Sequence, residues 1–548
     1  MPSPMPCISL STMTSLLERF SREVPGVRGS DERVEKLAYA RDLWPRHHLA
    51  VRSGAAAQGT YEPGAIVWPE STEDVERIVA FCNRTGTKLV PFGAGSGVCG
   101  GVLPENDVLI LDMKRMAKWI ALDRGAPTLT VEAGHMGLPL EEELGRRGYT
   151  LGHFPSSIVC STLGGWIAGR SAGQCSGKYG KIEDMVVSLE CVTGKGERIT
   201  VSRRGHGPSL LPLIIGSEGT LAVVTSATVR LHPKPTARAF AAFAFDSTEA
   251  GWEGMRTLFQ AGLRPAVARL YDPFDAMLAR QGAVKSDTSA GKASGPPAAA
   301  PGMGGSVLRT ILRAPGAMNA LVEGMGSQVF GGALLVLVFE GEGAAPDAEC
   351  ALARRMLEGR NARYEGEGPA RKWLAHRYSV SYRQAPVFAG GAFSDTMEVA
   401  ASWSKLGALY DGVRKALGSS VFVMAHFSHA YPDGCCIYFS FAGSAPPGTK
   451  DGEWDARSEA VYDRTWQAAL AAAVAAGGTL AHHHGVGRSK APKLALELGS
   501  TGISSAKAVK RAFDPNGILN PGALFAPITP EPYTKRAGTK THAEGGLP

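Results

Sequence analysis

Between Pro91 and Gly101 the chain reads Pro-Phe-Gly-Ala-Gly-Ser-Gly-Val-Cys-Gly-Gly, with five glycines in nine residues directly after the apolar pair Leu89-Val90. Glycine alone enters positive φ without steric cost and lets backbone N–H groups approach a ligand closely. Successive N–H groups turned inward form a nest for phosphate oxygens. Two common phosphate signatures do not fit. A dinucleotide fingerprint opens a helix in a βαβ unit and carries an acidic residue about 20 positions on, and a P-loop ends in Lys-Ser/Thr. Taken alone, the run reads equally well as an ordinary glycine-rich turn.

Two later segments repeat its character. From Gly152 to Gly173, Ser156, Ser157, Ser161 and Thr162 supply short donors and acceptors, and Gly164-Gly165 permit close approach at the start of an expected helix. From Leu213 to Thr225 a third glycine-hydroxyl turn, Gly216-Ser-Glu-Gly-Thr220, leads into a β-branched run. Strands are expected at Ile66–Trp68, Leu89-Val90, Val108–Asp112 and Leu129–Glu132, with helices over Ser71–Asn83 and Leu138–Gly145. Three such loops attached to strands imply one long ligand lying across an α+β domain.

Pro233 and Pro235 close that unit. Beyond them, strands at Ala239–Phe245, Pro265–Asp272 (carrying Arg269), Leu334–Phe339, Gly391–Trp403, Val421–His426 and Cys436–Phe441 alternate with helices over Thr248–Ala261 and Trp466–Ala476. This is a second α+β domain with antiparallel strands. Residues 283–305, rich in Gly, Pro, Ala and Ser, read as a flexible surface insertion. A helix at Ala506–Phe513 stops at a Pro/Gly turn, and the tail past Thr529 is expected to be loose. With 548 residues the chain needs more than one core. The expected division is a helical segment at 1–57, a ligand domain at 58–236, a cap at 237–500 and a C-terminal helix and tail at 501–548.

Composition narrows the function classes. A net charge of +7 with no Lys/Arg tract gives no sign of nucleic-acid binding. Nine scattered cysteines without Cys-x-x-Cys indicate neither a zinc site nor a disulfide framework, and fit a reducing compartment. No apolar run reaches the roughly 20 residues of a membrane span. Without a signal peptide or a terminal Ser-Lys-Leu, the expected location is cytoplasmic, with peripheral membrane contact.

The sharpest chemical feature is Ala481-His482-His483-His484-Gly485-Val486-Gly487-Arg488. In an extended segment His482 and His484 share a face and His483 points away. No acidic cluster stands nearby in sequence to complete a metal site, so no metal is expected. Three imidazoles beside an arginine suit anion binding and proton movement near neutral pH.

Pro91–Gly101, Ser156–Thr162 with Gly164-Gly165-Trp166, and Gly216–Leu221 resemble the FAD-binding domain of the vanillyl-alcohol-oxidase-like, PCMH-type flavoproteins. The resemblance implies an α+β fold: a PCMH-type FAD-binding domain of two α+β subdomains, an α+β cap with an antiparallel sheet, and a helical C-terminal segment. It implies FAD contacts from Pro91, Phe92, Gly93, Ala94, Gly95, Ser96, Gly97, Ser156, Ser157, Ser161, Thr162, Gly165, Gly169, Arg170, Ser171, Ala172, Glu218, Gly219, Thr220 and Val224. The loop offers no histidine and Cys99 sits late in it, so the FAD is expected to be non-covalent.

The triple histidine, with Gly152–Val187, Glu398–Trp403 and Cys436–Phe439, is similar to the alkylglycerone-phosphate synthase (alkyldihydroxyacetone-phosphate synthase) branch of that family, over about residues 30–525. That branch implies a catalytic tyrosine at Tyr438, catalytic histidines at His482, His483 and His484, an activity-supporting arginine at Arg269 and a substrate-binding arginine at Arg383. The chain departs from it at His426, where the animal enzymes carry arginine. The implied reaction exchanges the acyl group of acyl-dihydroxyacetone-phosphate for a long-chain alcohol, with FAD as a covalent trap and no net redox. The partners implied are lipid-derived small molecules and a second copy of the chain in a homodimer. The alternative is an FAD-linked dehydrogenase or oxidase of a D-2-hydroxy acid such as lactate, glycolate or 2-hydroxyglutarate, in which Arg383 binds the carboxylate and a histidine takes the hydroxyl proton.

Overall fold

The computed structural model describes residues 15–52, 61–104, 107–203, 207–284, 312, 314–324, 330–378 and 385–525. Arg383 lies outside the described residues, as does the expected insertion at 283–305 apart from the end of the helix Pro273–Val284.

Among its described residues the amino-terminal half holds two larger sheets and a two-stranded ribbon of Tyr149–Thr150 with His232–Pro233. In the first, Arg28–Ser30, Ala65–Trp68, Leu109–Asp112 and Leu89–Phe92 lie in that spatial order, the last three parallel. The helix Thr72–Thr85 crosses over between two of these strands. Ser71 caps it by accepting from the Asp74 N–H at 3.1 Å, and Gly86 ends it at φ 73°. Its inner face, Val75, Ile78, Val79, Phe81 and Cys82, is fully buried, as the spacing predicts. The second sheet is antiparallel, in the order Trp119–Asp123, Thr128–Glu132, Ala222–Arg230, Val186–Thr193, Arg198–Ser202. The three glycine loops all leave from these elements.

The rest of the chain builds an antiparallel sheet of seven strands in the order Arg363–Tyr364, Ala237–Phe245, Ala333–Gly341, Val267–Tyr271, Phe422–Ala430, Gly434–Gly443, Phe393–Ser402. The apolar run 334–339 lies in an interior strand, and the lack of alternation there has a direct cause. Leu335, Leu337 and Phe339 enter a core shared with helices Thr248–Gln260, Ala345–Glu358, Leu406–Leu417 and Trp454–Ala475. Leu334, Val336 and Val338 join the core of the amino-terminal half. The sheet is thus covered on both faces, which favours a continuous apolar strand.

The carboxyl-terminal segment returns to the start. After the helix Leu494–Phe513, which begins ahead of the expected boundary at 501, the Leu89 N–H donates to Ile518 O at 2.8 Å and the Asn520 N–H to Leu89 O at 2.7 Å. Ile518 and Leu519 pack into the core of the first sheet. Among the described residues, no helix is long and apolar enough to cross a membrane, and all eight cysteines are free thiols.

Phe439 points to the helical side of the large sheet and is fully buried. Its replacement by alanine is expected to cost about 3–5 kcal/mol, read as a lower midpoint of urea unfolding.

Candidate active site

The face of the seven-stranded sheet opposite its four helices roofs a cavity of 1470 Å³, and the glycine loops form the floor. Strand alternation decides which side chains enter it. Along Gly434–Gly443, Cys435, Ile437, Phe439 and Phe441 pack into the helical core, while Tyr438 and Ser440 line the cavity. Along Val267–Tyr271, Arg269 and Tyr271 line it. Cross-strand register then sets a row, since Glu398 opposes Tyr438, Tyr438 opposes His426, and His426 opposes Tyr271. Directly opposed residues share a face and touch. The His426 ring stacks on Tyr438 with centroids 4.6 Å apart.

The histidine loop docks against this row through Glu398. That carboxylate has no exposed surface, yet it accepts from the His482 N–H, from the His484 N–H at 2.9 Å and from Lys490 Nζ at 2.9 Å. Lys490 is also fully buried. Burial works to raise the Glu398 pKa, but Lys490 and the neighbouring histidines bring it down to about 2. Burial likewise works against the Lys490 charge, and Glu398 more than offsets it.

The loop bends from His482 to His484 instead of running extended, which corrects the expected alternation. His483 and His484 line the cavity and His482 sits behind them. Two of these rings join a hydrogen-bonded cluster, and the His484 ring packs on His483 with centroids 4.4 Å apart. His482 Nδ1 lies 3.0 Å from His483 Nδ1, and His483 Nε2 lies 2.9 Å from Tyr438 Oη. On the other side of that oxygen stands His429 Nε2 at 2.7 Å. Burial pushes His482 and His484 down to about 4, His483, His426 and His429 well below the usual imidazole value, and Tyr438 well above the usual phenol value. At neutral pH the cluster is a set of uncharged rings around an un-ionised phenol. Arg269 supplies the positive charge beside it, with a buried Nε that finds no partner among the described residues. The donor atoms of Cys436, His482 and His483 lie within 4.8 Å of one another, but the two imidazoles are already joined to each other.

A second carboxylate ties the loops together. Glu218, at φ 51°, accepts from the Val486 N–H and from the Gly487 N–H at 2.9 and 3.0 Å. Asn520 Nδ2 donates to Glu218 O at 2.6 Å and to Gly101 O at 2.8 Å. Cys99 O receives the Arg488 and Ser489 N–H groups. Gly487 lies so close to Cys99 O that any Cβ collides with it, and its φ is 53°.

Of the expected FAD residues, Pro91 through Gly97, Ser156, Ser157, Thr162, Gly165, Gly169, Ser171, Ala172, Glu218, Gly219 and Val224 line the cavity. Ser161, Arg170 and Thr220 are not among the lining residues, with a local cause in each case. Ser161 Oγ donates to Ser157 O and accepts from Trp166 Nε1, Arg170 turns out to Glu183, and Thr220 Oγ1 donates to Ser217 O. The cavity fits a long anionic cofactor on its own chemistry. The N–H groups of Ala94 through Val98 have no acceptor among the described residues, as a nest awaiting phosphate oxygens requires. Burial pushes the Cys99 thiol up to about 12, which removes the thiolate that a covalent link needs.

Residues 234–524 match the family described as FAD linked oxidases, C-terminal domain, more than half of the chain. The chain belongs to the FAD-linked oxidase family. Residues 63–202 match its FAD binding domain, and the cofactor is FAD. The chain is 28% identical to an alkyldihydroxyacetonephosphate synthase of Trypanosoma brucei brucei over 91% of its own length and 77% of that protein's. It is 29% identical to one of Dictyostelium discoideum over 91% and 79%. A solved alkyldihydroxyacetonephosphate synthase structure superposes with a TM-score of 0.69 at 26% identity, covering 90% of this chain and 82% of the other.

Sequence reasoning missed Glu398 as a support, along with Lys490 and His429. An acidic residue between the apolar Met397 and Val399 was the one available signal for Glu398. Lys490 and His429 meet their partners only across the fold.

Because Glu398 is depressed to about 2 in the folded chain, below the ordinary carboxylate value of about 4.3, its stabilisation is complete above about pH 4.3 and lost as pH falls toward 2. Lys490→Met removes the main cause of that shift. It is expected to cost about 3–5 kcal/mol at neutral pH, a cost that shrinks as acid protonates Glu398, read from urea unfolding of both proteins across pH. Gly487→Ala is expected to lower the FAD content of the purified protein, read as the ratio of flavin to protein absorbance.

Proposed function

We propose that this chain is an FAD-dependent alkyldihydroxyacetonephosphate synthase, exchanging the acyl group of acyl-dihydroxyacetone-phosphate for a long-chain alcohol. The observation that carries this reading is the uncharged His483–Tyr438–His429 cluster, set beside Arg269 on the wall of the cavity that the FAD loops share. Proton exchange at carbon and at an alcohol oxygen needs groups that accept and return protons without being charged at rest. A phosphate ester needs a cation in the same cavity, and Arg269 offers a planar donor fork.

Pro91–Gly97, Ser156, Ser157, Thr162, Gly165 and Gly219 would hold the FAD, and the N–H groups of Ala94–Val98, without an acceptor among the described residues, would serve its phosphates. When bound, it supplies electrophilic chemistry at carbon with no net gain or loss of electrons. Tyr438 Oη takes the proton from the substrate carbon and passes its own to His483. The same pair returns that proton to the substrate carbon after the exchange, and the alcohol proton leaves with the departing carboxylate as the free acid. His484, on the cavity wall with its Nδ1 turned back toward Glu398 Oε1 at 3.7 Å, orients the reacting oxygen. Leu278, Leu334, Val336 and Met424 offer apolar wall to the acyl and alkyl chains. The substrates are therefore lipid-derived small molecules.

The purified yellow protein, kept anaerobic with palmitoyl-dihydroxyacetone-phosphate and hexadecanol, is expected to form the alkyl ether with no electron acceptor present. Bleaching of the flavin by D-lactate or D-2-hydroxyglutarate without alkyl product replaces this reading with a hydroxy-acid dehydrogenase. Tyr438→Phe is expected to reduce kcat by about 100-fold or more while the FAD spectrum stays unchanged.

A further inference from the structure

His429 occupies an unusual backbone position. In the pairing of Phe422–Ala430 with Gly434–Gly443, Ser428 opposes Cys436 and Ala430 opposes Cys435, so His429 is the extra residue of a β-bulge. Its φ is 52°, a left-handed conformation that strand residues avoid and that recurs where a side chain has to be re-aimed. Without the bulge, alternation sends His429 to the helical face. With it, both Ser428 and His429 face the cavity.

Counting donors gives the hydrogen-bond chain through this ring a direction. Tyr431 Oη donates to Ser176 Oγ at 3.2 Å. The Ser176 hydrogen therefore goes to His429 Nδ1, 2.7 Å away. That leaves the His429 hydrogen on Nε2, where it donates to Tyr438 Oη. The Tyr438 hydrogen then goes to His483 Nε2, and the hydrogen on His483 Nδ1 to His482 Nδ1. The last free hydrogen falls on His482 Nε2, a buried atom without a partner among the described residues.

We infer that His429 is a positioning residue for proton transfer at Tyr438. Locked in one tautomer by Ser176, it donates to the phenol oxygen, commits the phenol hydrogen to His483, and leaves one oxygen lone pair facing the cavity. A proton accepted on that lone pair displaces the phenol hydrogen to His483 Nε2 and the Nδ1 hydrogen of His483 to His482. Three bonds to hydrogen form and three break, and the positive charge comes to rest on His482. The surroundings favour that direction. His429 faces Arg269, His426, His482 and His484, none of which stabilises a charge on it. His482 lies near the carboxylates of Glu398 and Glu183, with Lys181 and His484 opposing them.

The inference rests on the synthase reading for its substrate, and the test separates the two. The holoenzyme carrying His429→Gly keeps a backbone suited to φ 52°, which offsets part of the loss of a buried ring, so it is expected to remain folded with the FAD content of the wild type. Its kcat for alkyl product is expected to fall about 100-fold, with KM for palmitoyl-dihydroxyacetone-phosphate within about threefold. Added imidazole, which can accept from Ser176 and donate to Tyr438, is expected to restore activity. N-methylimidazole has no N–H to give and is expected to restore none. A glycine variant with wild-type kcat overturns the inference, as does equal rescue by the two compounds. If the wild type makes no alkyl ether but bleaches flavin with a D-2-hydroxy acid, the synthase reading fails, and the same comparison on flavin bleaching still decides the role of His429.

Discussion

The carboxylate of Glu398 lies wholly inside the protein, where an unpaired charge costs several kcal/mol. It persists because the Lys490 ammonium and two backbone N–H groups of the histidine loop occupy its oxygens. The arrangement is reciprocal. The buried charge needs those N–H groups, and the loop that supplies them is thereby bent so that His483 and His484 enter the cavity. Glu218 makes a similar bargain two residues further on, with Val486 and Gly487. Two carboxylates, one from each half of the chain, thus fix the loop from His482 to Gly487 between the FAD loops and the large sheet.

The sheet turns this clamp into a reactive surface. Its register aligns Glu398, Tyr438, His426 and Tyr271 in one row, while Ile437 and Phe439 beside Tyr438 anchor the strand in a dry core. The same low dielectric that makes those anchors effective keeps the imidazoles uncharged and the phenol protonated. Reactive groups on strands are also held more firmly than groups on loops. The β-bulge at His429 adds a ring to the row that strict alternation excludes.

Much of this was legible in the chain. The helix at Thr72–Thr85, the strand at 334–339, the three glycine loops and the α+β class follow from local spacing, because caps, turns and periodicity act over a few residues. Most of the expected FAD contacts also reach the cavity, since backbone approach depends on glycines that the sequence displays. The side-chain directions that the sequence did not show have a different cause. Ser161, Arg170 and Thr220 sit among true lining residues, but each is taken by a neighbour whose direction the sequence does not reveal. The alternation expected for His482–His484 failed because it assumed an extended chain, and two N–H bonds to a residue 84 and 86 positions away bend it instead.

By itself, then, the sequence determined that this chain binds a long phosphate-bearing cofactor across an α+β domain and carries a second domain with a histidine cluster. Those properties reside in residue type and short-range spacing. Only the tertiary structure decided which rings meet. Tyr438 gains His429 through a bulge and His483 through a loop pinned by a distant ion pair. Such contacts depend on sheet register and on the enclosure of charge, which arise only when segments far apart in the chain exclude water together.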